Sequence, residues 1–221
     1  MHQNFTQHLS QALLVATIYL PIFGFGSAMA QGASPNWQVH LPASSLTFNT
    51  TKSGAVGIGG VTETMRFKSF KGGMDAQGNI QLDINLASID SGVMIRDERL
   101  QTILWNVATH PVVSFKAKIK PEDLQKINAG KESVGITVDG QLSMASQSKA
   151  IKAELQVTPV HNKRMVSTRE AIIINANDFG LNSGVETLRV IMGLSYLSTS
   201  APVTFQLELT PSQAEFPPSA L

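Results

Sequence analysis

No cysteine occurs in the 221 residues, which excludes a disulfide framework, a thiolate zinc site and a cysteine nucleophile. Charge is also scarce: 15% of residues are Asp, Glu, Lys or Arg, and 17 basic against 16 acidic side chains leave a net charge of +1. So even a balance supplies no field to gather phosphates and argues against nucleic acid as a partner. The chain carries no G-x-S-x-G, H-E-x-x-H, P-loop or dinucleotide fingerprint. It has no internal repeat and no biased tract long enough for a second domain.

The first charged residue is Lys52, and the charge-free start is apolar from Ala12 to Phe25 and ends in Ala28-Met29-Ala30. That is the shape of a secretory signal peptide with a small-residue cleavage site, so export and removal of residues 1–30 are expected. Pro21 and Gly24 interrupt the run, and its unbroken part is shorter than the ~20 residues a membrane-crossing helix needs. About 190 residues remain, enough for one β domain with a sizeable core. That domain is expected over 31–210, followed by a Pro-rich tail at 211–221 that frays.

Period-two alternation dominates the mature part. In "IQLDINLASID", Ile80, Leu82, Ile84 and Leu86 share one face and Gln81, Asp83 and Asn85 the other, the pattern of a half-buried strand. "VVSFKAKIK" sets Val113, Phe115, Ala117 and Ile119 inward, against Ser114, Lys116, Lys118 and Lys120. "VGITVDGQLSM" aligns Val134, Ile136, Val138, Leu142 and Met144, and "IKAELQV" aligns Ile151, Ala153, Leu155 and Val157. In "VTFQLEL" the inward set is Val203, Phe205, Leu207 and Leu209. Weaker strands are "NWQVHL", "SLTFNTT" with Phe48, "ETMRFKSFKG" with Phe67, and "EAIIINA", which is apolar on both faces and so expected to be covered twice. Turn residues at Gly72-Gly73, Gln77-Gly78 and Asn128-Ala129-Gly130 separate several runs.

Two segments break the alternation. "GVMIRDERLQTILWN" spaces Leu100, Ile103, Leu104 and Val107 as a short amphipathic helix, and "VETLRVIMGLSYL" repeats the spacing more weakly with Val185, Leu188 and Met192. About eight antiparallel strands with little helix favour an all-β, closed up-and-down barrel, because closure removes exposed sheet edges. A two-sheet sandwich is the alternative.

Four ionisable residues stand in a row at Arg96, Asp97, Glu98 and Arg99. Neighbours on a helix diverge by about 100°, so Asp97 and Glu98 cannot converge on one substrate as an acid–base pair. No histidine is nearer than His110, so a metal site lacks its usual ligands there. What remains is a structural corner, with one or two charges capping the helix or pairing with neighbouring strands. His40, His110 and His161 form no ligand motif in sequence, and zinc binding would require them to meet in space. "GIGG", Gly57 to Gly60, lacks a strand-to-helix unit around it and reads as a flexible turn.

The segment "SIDSGVMIRDERLQTILWNVATHPVVSF" resembles the signature of the YceI-like family. There a strand ending Ser-Ile-Asp-Thr-Gly leads to Arg-Asp-x-x-Leu, an aromatic-containing helix, a Pro and a strand with an inward Phe. Ser88, Ile89, Asp90, Gly92, Arg96, Asp97, Leu100, Trp105, Pro111 and Phe115 occupy those places. "VDGQLSM" resembles the family's Val-x-Gly-x-Leu strand, and Asp178, Phe179 and Gly180 its Asp-Phe-Gly segment. Two departures concern the shape of one barrel end. The Gly-x-Phe after the first hairpin is met only loosely by "GGVTETMRFKSF", and a Gly after the Val-x-Gly-x-Leu strand is replaced within "MASQSK". The resemblance implies a lipocalin-like barrel, exported to the periplasm and holding a long isoprenoid or similar lipid, with the charged stretch plugging or orienting one end.

An aliphatic and aromatic interior suits a hydrocarbon chain and gives a reaction little to work with. The expected lining is Phe48, Phe67, Leu82, Ile84, Leu86, Trp105, Val113, Phe115, Val138, Leu142, Leu155, Phe179 and Phe205. No catalytic or metal-ligating residue is assigned, and no cofactor beyond a bound isoprenoid lipid or quinone. The leading expectation is a periplasmic carrier, not an enzyme, with a hydrophobic lipid as ligand and transient contact with a membrane or a membrane redox protein. Against it stand a filled barrel that serves only as an interaction module and, further off, a histidine–zinc enzyme.

Overall fold

The computed structural model describes residues 37–54 and 59–212. The expected signal peptide, Gly57 and Ile58 of the glycine turn, and residues 213–221 of the tail lie outside the described residues. Among the described residues thirteen strands join one antiparallel sheet. They are β1 (Trp37–Val39), β2 (Ser45–Ser53), β3 (Val61–Phe67), β4 (Phe70–Met74), β5 (Asn79–Asn85), β6 (Ile89–Asp90), β7 (Val112–Lys118), β8 (Val134–Met144), β9 (Gln147–Val160), β10 (Lys163–Thr168), β11 (Ile172–Asn175), β12 (Tyr196–Leu197) and β13 (Ser200–Pro211).

These segments follow eight tracks of a barrel. β1 and β2 are one track bent at the 3-10 turn Leu41–Ala43, where Pro42 has no N–H to give a ladder. β3 and β4 form the second track, and β5 and β6 the third, interrupted by the 3-10 turn Leu86–Ser88. β7, β8 and β9 follow singly, β10 and β11 run in line along β13, and β12 adds a short pairing onto β2. The sheet closes because β13 pairs with both parts of the first track, Thr210 with Gln38 and Phe205 with Leu46. Closure excludes the two-sheet sandwich. At the seam a Cβ on Gly73 would meet the Trp37 carbonyl oxygen, so the approach of β4 to β1 requires glycine there.

The alternation is realised as side-chain burial. Val134, Ile136 and Val138 are buried on β8 while Gly135 and Asp139 are exposed, and on β9 Ala153, Leu155 and Val157 are buried. Two expectations about the strands are corrected: Gly72-Gly73, expected as a turn, lie inside β4, paired with Leu82 and Gln81, and "EAIIINA" becomes β11, covered on one face only, with Ile173 52% exposed. Its outer face is exposed, so its apolar second face reflects β propensity and not a second layer.

Among the described residues three α-helices close the ends. α1 (Met94–Arg99) runs into a wider π turn at Leu100–Leu104, so the expected helix ends before Val107. α3 (Asn182–Ile191) is the second expected helix. α2 (Pro121–Ala129) has no counterpart in the expectations: Asn128 and Ala129 end a helix in place of the expected turn. Its signals are Pro121 in the first turn, Glu122 and Asp123 beside it, and Gly130 at φ 57° as a left-handed cap. Ile127 and Leu124 of α2 pack with Trp37, Met74, Ile119 and Ile136 at one end of the barrel. At the other, Leu100 and Leu188 pack with Met65, Ile89, Trp105 and Phe179.

Candidate functional site

Between these end clusters the interior is not filled. A cavity of about 330 Å³ runs along the barrel, walled almost wholly by apolar side chains. On β2 the inward positions are Leu46, Phe48, Thr50 and Lys52, and on β3 they are Glu63, Met65 and Phe67, so strand period carries polar groups to the cavity's edge. Phe48, Phe67 and Trp105 form an aromatic group, with ring centroids 5.7 Å apart for the two phenylalanines and 6.4 and 5.8 Å from each to the indole. Leu82, Ile84, Val113, Phe115 and Leu142 line the middle on three successive tracks, with Leu86 and Phe205 also in the wall.

Three expected lining residues are not part of this wall: Val138, Leu155 and Phe179. Val138 is 1% and Phe179 2% exposed, and all three are packed in the solid end clusters. Alternation assigns a face but not whether the space on that face is occupied, and here neighbouring side chains occupy it.

Most of the polar lining gathers at one end, which we call the mouth. It comprises Lys52 and Thr50 on β2, Glu63 on β3, Arg96 and Arg99 on α1, and Ser198 to Ser200 leading into β13. Lys52 Nζ lies 2.9 Å and Arg96 Nη1 2.8 Å from the same Glu63 oxygen, Oε2. The other residues of the charged stretch diverge as helix geometry requires. Asp97 Oδ1 accepts the Ser91 amide at 2.9 Å, tying the loop before α1 to the helix. Glu98 is exposed, and the Arg99 side chain makes no hydrogen bond or ion pair among the described residues. The corner is therefore built by Arg96 and Asp97, while Arg99 is left over at the cavity.

Asp90, at the start of the loop into α1, pairs with Arg66 at 2.7 Å and Lys68 at 3.0 Å. The Arg66 guanidinium, helped by Lys68 and the Gly92 amide, holds its carboxyl down at about 2. At the opposite end the base of the cavity contains Trp37 and Arg164, both buried. Trp37 Nε1 is a buried donor without an acceptor among the described residues.

The three histidines among the described residues do not meet. His40 Nδ1 lies 2.7 Å from Glu208 Oε1 on the barrel's outer surface, His110 is half-buried beyond the π turn, and His161 is exposed in the β9–β10 turn. Among the described residues no three His, Asp or Glu side chains are grouped so as to hold a metal. The mouth cations were missed as lining residues because the strand pattern was read only over apolar positions. The signal was present: Thr50 and Lys52 continue the face of Phe48, and Arg96 and Arg99 stand three apart on one helix face.

Residues 37–210 match the model of the YceI-like domain family. A polyisoprenoid binding domain from Saccharophagus degradans, implicated in plant cell wall breakdown, has a similar structure at a TM-score of 0.74. It is 27% identical in sequence, and the match covers 80% of this chain and 99% of that one. BcnA of Burkholderia cenocepacia shares the fold at a TM-score of 0.57 and 19% identity, over 77% of this chain and 98% of its own. No curated protein matches the sequence.

Proposed function

The chain belongs to the YceI-like domain family, and from that premise we propose that it is a periplasmic carrier or scavenger holding a long isoprenoid or similar lipid inside its barrel. The observation that carries this reading is the apolar cavity of about 330 Å³, a size within the range of small-molecule sites. A barrel whose task was only to fold would fill that space, because each unfilled contact forfeits dispersion energy. At ~0.8 kcal/mol per buried methylene, a prenyl chain of several units offsets the rigid-body cost of binding without a charged contact. The similar domain from Saccharophagus degradans is named for polyisoprenoid binding, which supports the same class of tail here.

Binding, not turnover, is the proposed activity: the middle of the cavity presents hydrocarbon, and the charges stand at its ends. A carrier must also reach the bilayer that holds its ligand. Met94 (89% exposed) and Ile95 on α1, Val61 at the start of β3, Ile191 on α3 and Tyr196 on β12 are apolar and exposed on the elements around the mouth. Cations stand beside them, an arrangement suited to transient contact with a membrane surface or a protein within it.

The test is organic extraction of protein purified from the periplasm without detergent, followed by mass spectrometry and N-terminal sequencing. An isoprenoid lipid in stoichiometric amount, on a chain beginning at Gln31, is expected. A protein that yields no lipid and takes none up from vesicles would end the carrier reading and favour the interaction module.

A further inference from the structure

We propose that the mouth of the cavity selects a lipid with an acidic head group, a phosphate or a carboxylate, and that Arg99 is the residue that meets it. This deepens the carrier reading and rests on it, since the tail still occupies the barrel. The argument is a count of charges facing one space. Lys52, Arg96 and Arg99 line the mouth, and the carboxylate lining it with them is that of Glu63. Glu63 is already shared, with Lys52 and Arg96 converging on one of its oxygens at 2.9 and 2.8 Å.

Nearby carboxylates are committed elsewhere. Asp97 accepts from the Ser91 amide, Asp90 is held by Arg66 and Lys68, and exposed Glu98 is absent from the lining. Arg99 thus presents a half-buried guanidinium to the cavity with no acceptor among the described residues. Two like charges three residues apart on α1 repel each other slightly, so α1 alone gives no reason to place Arg99 beside Arg96.

A guanidinium offers a planar fork of N–H donors that matches phosphate or carboxylate oxygens two at a time. Low-dielectric walls around the mouth strengthen its field there. A neutral head, a quinone or an alcohol, can accept a hydrogen bond but leaves the excess positive charge uncompensated. A cationic head is repelled. The tail supplies affinity common to all prenyl lipids, and Arg99 supplies the difference between heads.

Trp37 and Trp105 both line the cavity, so tryptophan fluorescence of the delipidated full-length mature protein reads occupancy directly. The probes share one tail and differ in head: geranylgeranyl phosphate, geranylgeranoic acid and geranylgeraniol, with a short-chain ubiquinone as a neutral carbonyl head. At low salt the better acid-headed probe is expected to bind at least tenfold more tightly than the alcohol or the quinone. Arg99→Gln should remove most of that advantage while changing alcohol affinity less than twofold. Lys116→Gln, on the barrel's outer face, should change neither. Which acid binds better names the head group.

Equal binding of acid and neutral probes would overturn the assignment and leave the carrier reading standing. So would Arg99→Gln weakening all probes alike, which would make Arg99 a structural residue. Binding of none of the probes would overturn both readings together.

Discussion

The Arg164 guanidinium lies 4.7 Å over the Trp37 ring, while its Nε donates to the Ile127 carbonyl at 3.0 Å. One buried cation thereby joins the first strand, β10 and the C-terminal end of α2. A helix C-terminus carries partial negative charge and free carbonyls, which is the environment that makes a carboxylate partner for Arg164 unnecessary. The cation–π contact adds to it.

Gly130, the cap that ends α2, has φ 57°, and a Cβ there would stand 2.5 Å from Arg164 Nη2. Gly130→Ala is expected to destabilise the protein by about 1–2 kcal/mol, from the left-handed backbone and from displacement of the guanidinium. Urea denaturation measures it. An unchanged midpoint would mean that the end of α2 is not held by this contact.

The β8–β9 turn places Ala145 at φ 49° and Ser146 at φ 63°, a conformation that Asn-Gly adopts at little cost. This is the place where the family resemblance leads one to expect glycine. Replacing the pair, Ala145→Asn with Ser146→Gly, should therefore stabilise by roughly 1 kcal/mol and raise the melting temperature. A loss of stability would show that the turn's side chains make contacts worth more than the relieved strain.

Leu82 borders the cavity, whereas Leu155, on β9, packs into the cluster that contains Ile127 and Leu124 of α2. Truncating Leu155 to Ala should fall in the upper part of the usual ~2–5 kcal/mol range for a buried leucine. Leu82→Ala should cost about 2 kcal/mol or less, because it enlarges a space that already exists. Similar losses at the two sites would indicate that the interior is packed solid around Leu82.

Asp97 ties the loop before α1 through the Ser91 amide. A charge-assisted hydrogen bond of this kind contributes about 1.5–3 kcal/mol. Asp97→Ala is expected to lose that much stability with its lipid content per protein unchanged. Intact stability with lipid lost would reassign Asp97 from architecture to binding.

Asp90 titrates at about 2 in the folded chain because of Arg66 and Lys68, against about 3.9 when unfolded. A depressed carboxyl stabilises the fold fully above the unfolded value and loses its contribution as pH falls through the folded one. The difference in urea midpoint between wild type and Asp90→Asn should thus be largest above about pH 4 and shrink between about pH 4 and 2. A difference independent of pH would assign the effect to packing instead of charge.

The barrel was legible in the sequence because a strand's two faces are written into every second residue: Ile80, Leu82 and Ile84 announce a wall, and the lysines of β7 announce the water. Long alternating runs and the Arg96–Leu100 signature were enough to reach a closed antiparallel meander. Helix α2 was passed over because its nine residues carry few apolar positions and end in residues that also make turns, so local chemistry there is degenerate. Lys163–Thr168 was likewise unread as a strand, since its pairing with β9 and β13 supplies what its composition does not.

The sequence by itself determined which side chains face inward, because that depends on backbone period alone. Only the tertiary structure decided which inward side chains meet one another and which border empty space, since both depend on how eight tracks curve and where the helices cap them. That is why Val138 and Leu155 fall in solid core while Phe115 and Leu82 border a cavity. It is also why Glu63 is shared by cations 11 residues before and 33 after it in the chain, leaving Arg99 without a carboxylate among the described residues.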